Sequence, residues 1–235
     1  MPVAGITPYF RSGRDPDLVG YTTTDFVQGT GMVRFYGGGT QDSSGIKYRL
    51  STETFETSIS DGASPPVAQR YLIVTISGSS FSKHIDLDFD TGTFNRNTVI
   101  EGKMLSCIPF GITNTNPVGG DVGHAYVIVD LKKVATDGTT ETSLVSVQSN
   151  TVYQASNDYA DNFFSVISTV PRTNLLKGEK LRITVEGWAK TTAGSPRLSI
   201  VFDPKNRAIA LPTYYPDFTA GYTQMTFDVP FKILY

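Results

Sequence analysis

Residues 126–147 write out a β-hairpin almost in full. Tyr126-Val-Ile-Val-Asp-Leu-Lys runs toward Asp137-Gly138, and Leu144-Val-Ser-Val carries the alternating pattern back. Asp-Gly suits such a reversal because it can supply the two positive-φ positions of a tight hairpin. The same grammar recurs at 181–186, 198–202 and 227–233, with Gly, Pro, Asn and Asp in the gaps. An antiparallel, all-β chain is expected.

Strands are expected near 71–77, 84–89, 99–107, 124–132, 143–149, 163–169, 180–188, 198–202 and 225–233. Eight or nine strands at short intervals suit two packed sheets. With long connections at 111–122 and 203–224, the expected topology is a jelly-roll β-sandwich. Leu181, Ile183 and Val185 should face the core while Arg182, Thr184 and Glu186 face water. Trp188 breaks that alternation and is expected to cap the core or to lie at an interface. The apolar run from Tyr71 to Ile76 reads as a central strand covered on both faces, and 157–164 as the one stretch able to form a short helical turn.

The chain is expected to divide into an extended arm, 1–66, and a β-sandwich domain, 67–235. The arm is rich in glycine, with Gly37-Gly38-Gly39, and in rings, with Tyr9, Phe10, Tyr21, Phe26, Phe35, Tyr36 and Tyr48. Short apolar runs give it little core of its own, yet it is too aromatic for a solvated linker. Two readings fit: an arm with one or two strands whose rings settle into grooves on the sandwich or a neighbour, or the first strands of the same sandwich.

Twenty Lys and Arg against 22 Asp and Glu leave a net charge of −2. No field gathers a polyanion, so nucleic acid is not an expected partner. A single cysteine, Cys107, between apolar neighbours, excludes an intrachain disulfide and reads as a small buried residue. No signal-peptide pattern opens the sequence and no run approaches a membrane span. Synthesis in the host cytoplasm and no membrane partner are expected.

Chemical motifs are sparse. Asp86, Asp88 and Asp90 alternate before Thr91-Gly92, which brings a surface cation site to mind, but the spacing departs from a calcium loop. Asp90-Thr91-Gly92 matches the aspartic-protease triplet in a single copy, where two aspartates must share a proton. The plainer reading is a strand that shows its acids to solvent and buries Leu87 and Phe89. His84 and His124 lack metal-ligand spacing, and no Gly-x-Ser-x-Gly elbow is present. No metal, cofactor or catalytic residue is nominated, and the chain is expected not to be an enzyme. The Pro- and Gly-rich loop carrying Tyr214, Tyr215, Phe218 and Tyr222 is different, because exposed rings in a constrained loop bury much area at low entropic cost. Together with Tyr9, Phe10, Phe35 and Tyr36 these are the expected interface residues.

Val-Asp-Leu-Lys-Lys-Val at 129–134, Leu-Leu-Lys-Gly-Glu-Lys-Leu-Arg-Ile-Thr-Val-Glu-Gly-Trp at 175–188 and Asp-Val-Pro-Phe-Lys-Ile at 228–233 give the chain its style. In that style it is similar to jelly-roll β-sandwich structural proteins of tailed-phage virions. The resemblance implies a non-enzymatic capsid decoration or cement protein, or another jelly-roll capsid component, located in the virion. Its implied partners are a major capsid protein or other virion proteins and copies of itself, with a trimer favoured. The alternative is a carbohydrate-binding or receptor-binding module of a phage tail.

Overall fold

The computed structural model describes residues 18–20, 30–42, 45–56, 70–113, 122–154, 160–209 and 223–232. Among them lie thirteen strands and no helix. The strands are β1 (Leu18–Gly20), β2 (Thr30–Asp42), β3 (Gly45–Ser51), β4 (Tyr71–Thr75), β5 (Ser82–Asp90), β6 (Thr98–Thr113), β7 (Val122–Val134), β8 (Glu141–Gln148), β9 (Val152–Gln154), β10 (Ala160–Leu175), β11 (Lys180–Ala193), β12 (Arg197–Val201) and β13 (Thr226–Lys232). Hydrogen bonds run along the path β4-β12-β6-β13-β2-β3-β5-β11-β7-β8, with β1 on β2, β9 on β7 and β10 on β6. All pairings are antiparallel except a short parallel contact of β3 with β5 at Tyr48 and Phe89.

The all-β, antiparallel expectation holds. Every expected strand is present, and β6 and β10 each extend to 16 residues. The path folds back on itself because β2 changes partner at Tyr36, from β13 to β3. Glycine makes that corner possible: a Cβ on Gly38 would meet Pro204 Cγ at 2.5 Å and Phe55 Cζ at 2.7 Å. Two inner faces then meet. Phe89 of β5 lies 6.2 Å from Phe227 of β13 and 6.0 Å from Phe202. A Cβ on Gly187 of β11 would stand 3.2 Å from Leu198 of β12. This two-layer packing suits a sandwich, and the strand order is consistent with a jelly roll.

Three local expectations are corrected. β4 stands at the end of the path and is only half-buried, so it is not a central strand, although both its faces pack on apolar side chains: Leu72 and Val74 on the main core, Tyr71 and Ile73 on Val201 and Ile209. Residues 160–164 begin β10 rather than a helical turn, and 157–159 lie outside the described residues. The hairpin uses one positive φ, at Gly138, and not two. Asp137 instead receives Thr139 N–H and Thr140 N–H at 2.8 Å each, while Gly138 N–H donates to Ala135 O at 2.9 Å. The bonds that Asp137 accepts, led by one from the Thr140 hydroxyl, hold its carboxyl down at about 2.

Candidate functional site

Alternation along β5, β11 and β7 sends Ile85, Leu87 and Phe89, Leu181, Ile183 and Val185, and Val127, Val129 and Leu131 into the core. The opposite side chains form one broad outer face, in rows set by register. Arg182 stands between Asp90 and Lys132, Thr184 between Asp88 and Asp130, and Glu186 between Asp86 and Ile128. Trp188 then stands between Lys83 and Tyr126, and Lys190 opposite His124. The chemistry changes from row to row, from charges at one end to rings at the other.

At the charged end Arg182 grips Asp90 through two bonds, Nε to Oδ1 at 2.6 Å and Nη2 to Oδ2 at 2.8 Å. Its Nη1 reaches Glu141 and, at 3.5 Å, Asp88. Lys180 also holds Asp90, Lys132 holds Glu141 at 3.1 Å, and the Thr184 hydroxyl donates to Asp88 at 2.6 Å. Burial works to raise the Asp90 pKa, but hydrogen bonds from Arg182 and Lys180 overcome it and keep the carboxyl below its ordinary value. Lys83 closes the next row, bonding Asp86 at 2.7 Å and Glu186 at 3.0 Å. Asp86, Asp88 and Asp90, the residues of the expected cation site, are thus each met by a cation of this chain. No group of three or more His, Cys, Asp or Glu side chains able to hold a metal is found among the described residues.

At the other end the rings of Tyr126 and Trp188 lie nearly parallel, 7° apart with centroids at 6.1 Å. Phe81 packs on Tyr126 at 4.9 Å, and Lys190 Nζ sits 4.8 Å above the Phe81 ring. Tyr153 of β9 leans on His124 at 4.9 Å and is 57% exposed. The Trp188 indole N–H donates to Glu186 Oε2 at 2.8 Å, which fixes the ring beside the charged rows. Burial, then the charge of Lys190, holds the His124 pKa below its ordinary value. Trp188 therefore continues the outward series rather than capping the core, since the buried Gly187 takes the inward position, where an added Cβ would already lie 3.0 Å from Ile85 and 3.2 Å from Leu198.

Of the expected interface residues, Phe35 lies in the core, 6.3 Å from Phe231, and Tyr36 is half-buried at the β2 corner. Tyr9, Phe10, Tyr214, Tyr215, Phe218 and Tyr222 lie outside the described residues. The structure does not bring Phe35 onto any surface with the others that are described. Cys107 is half-buried on β6. Sequence reasoning missed Phe81, Tyr126, Tyr153 and Lys190 as a group. Tyr126 opened the hairpin pattern, but its meeting with Trp188 depends on a register linking residues 62 positions apart (188 − 126).

No protein-family model matches the chain, and no curated protein matches it. Solved structures do. An α-amino acid ester hydrolase matches with a TM-score of 0.48 and 10% identity, over 84% of this chain and 36% of the hydrolase. A CocE/NonD family hydrolase from Staphylococcus aureus matches with a TM-score of 0.39 and 10% identity, over 84% of this chain and 41% of its own. The VP2 protein of infectious bursal disease virus matches with a TM-score of 0.26 and 13% identity, over 80% of this chain and 42% of VP2. The chain thus spans about two fifths or less of the hydrolases it matches. The hydrolases stand ahead of the capsid protein in TM-score. That order corrects two expectations: a non-enzymatic virion structural protein with its phage-tail alternative, and the absence of enzymatic activity. A viral capsid protein is among the matched structures, and no phage decoration protein is among those named here. No helix among the described residues is long and apolar enough to cross a membrane.

Proposed function

We propose that this chain is a docking module that holds a partner protein against the ring-lined end of its β5–β11–β7 face. One observation carries the proposal: the near-parallel, half-buried Tyr126 and Trp188 rings share one end of the face with Tyr153, 57% exposed, beside charged rows whose members already satisfy one another. Tryptophan and tyrosine dominate binding energy where they are framed by groups that exclude water. Burying such rings gains roughly 25 cal/mol per Å² of apolar surface, while the paired charges have little further to gain from a ligand. Lys190 at the edge favours a partner with a carboxylate at its rim. Contact roles for Tyr9, Phe10, Tyr214, Tyr215, Phe218 and Tyr222 belong to the same proposal.

A photoreactive phenylalanine placed at position 153 tests it in the cells that make the protein. One discrete cross-linked product is expected, lost when Tyr126→Ala and Trp188→Ala are combined and not formed from position 167 on the opposite layer, where Ile167 is 66% exposed. A product insensitive to both substitutions, one formed from position 167 alone, or none at all would refute the docking reading.

A further inference from the structure

Ser82 and His84 share a hydrogen bond, Ser82 Oγ to His84 Nε2, at 3.0 Å. Neither residue belongs to the rows described above. The register slips by one residue here, since Ile85 faces Gly187 while Lys83 faces Trp188. The resulting bulge turns Lys83 onto the outer face, where it reaches Asp86 and Glu186. Ser82, opposite the core-facing Ala189, leaves that face and is exposed, and His84 is half-buried. Bulges re-aim side chains in this way and are over-represented next to active sites.

A serine hydroxyl is a weak nucleophile until a neighbouring base takes its proton. A histidine Nε2 within hydrogen-bond reach is such a base when the ring proton resides on Nδ1. Phe81 precedes Ser82 directly, but its ring packs on Tyr126 on the outer face that Ser82 leaves. Reactivity at Ser82 therefore depends on the leaving group of the ester rather than on stacking against a ring.

We propose that Ser82 and His84 form a nucleophile and base pair that accepts acyl groups from esters with a good leaving group, such as aryl esters. Ser82 Oγ attacks the ester carbonyl carbon while His84 Nε2 takes the hydroxyl proton. The bond from carbon to the aryl oxygen then breaks, the phenol leaves with the proton returned by the imidazolium, and an ester of Ser82 remains. No oxidant or reductant is involved.

The full chain incubated with p-nitrophenyl acetate, followed by peptide mass spectrometry, gives the test. An acetyl group on Ser82 is expected, with initial labelling about 100-fold slower in His84→Gln, the lower range for general base assistance, and unchanged in Ser80→Ala. The labelled peptide should lose its acetyl group in Ser82→Ala. Ser82 labelling no faster than that of Ser79 or Ser80, or at the wild-type rate in His84→Gln, would overturn the proposal.

Discussion

The two ends of one sheet face are built by the same alternation and have opposite chemistry. In the rows of Arg182 and Thr184, each carboxylate named there is answered within the chain, Asp90 by two cations and Asp88 by a hydroxyl and a guanidinium. In the rows of Trp188 and Lys190, rings touch one another and leave apolar surface open, Tyr153 most of all. A closed charge lattice specifies strand register, because a one-residue slip would pair none of these groups. Open rings specify nothing internally, and their unsatisfied surface is what a partner can use. The comparison teaches that conspicuous acids can be structural while quieter aromatic positions mark the surface available for contact.

Removing Arg182 should break the comparison most forcefully. Arg182→Ala leaves Asp90 with Lys180 and Glu141 with Lys132, and is expected to lower stability by about 2–3 kcal/mol in urea unfolding, the scale of charge-assisted bonds partly screened by solvent. The acid limb sharpens the same point. Because the folded Asp90 pKa lies below its unfolded value, its contribution is present above the unfolded carboxylate range and is lost as pH falls through the folded value. In Arg182→Ala the loss of stability between neutral and acid pH should therefore be shallower than in wild type; an unchanged acid limb would remove Arg182 as the cause. At the ring end Trp188→Ala should cost about 1 kcal/mol, the value of an aromatic pair beyond its burial, while abolishing the cross-link at position 153. A loss of stability larger than that of Arg182→Ala would make Trp188 a core residue and cancel the distinction between the ends.

Most of the fold was legible from local pattern. Leu181, Ile183 and Val185 point inward as their spacing demands, and the hairpin of β7 and β8 forms where Asp137-Gly138 marks it. Less legible were features that depend on who stands next to whom. The apolar run in β4 looked central, but its neighbours are β12 and the Val201–Ile209 cluster at the end of the path. The strand that shows Asp86, Asp88 and Asp90 outward and buries Leu87 and Phe89 was legible from alternation, but the lysines and arginine that register brings opposite those acids were not. Ring pairing across β7 and β11 was invisible for the same reason. Ser82 and His84, two positions apart, were in principle readable as same-side neighbours on a strand; what spacing alone did not supply was the bulge that removes them from the acidic face.

Trp188 is the chain's single tryptophan, so its emission reports on the ring end without interference from any other indole. The most direct measurement is that emission as purified protein is titrated with the partner trapped from position 153. A blue shift that saturates, and is equal in the Arg182→Ala protein, is the predicted result. Emission that stays unchanged while the partner binds would place the contact elsewhere and contradict the account.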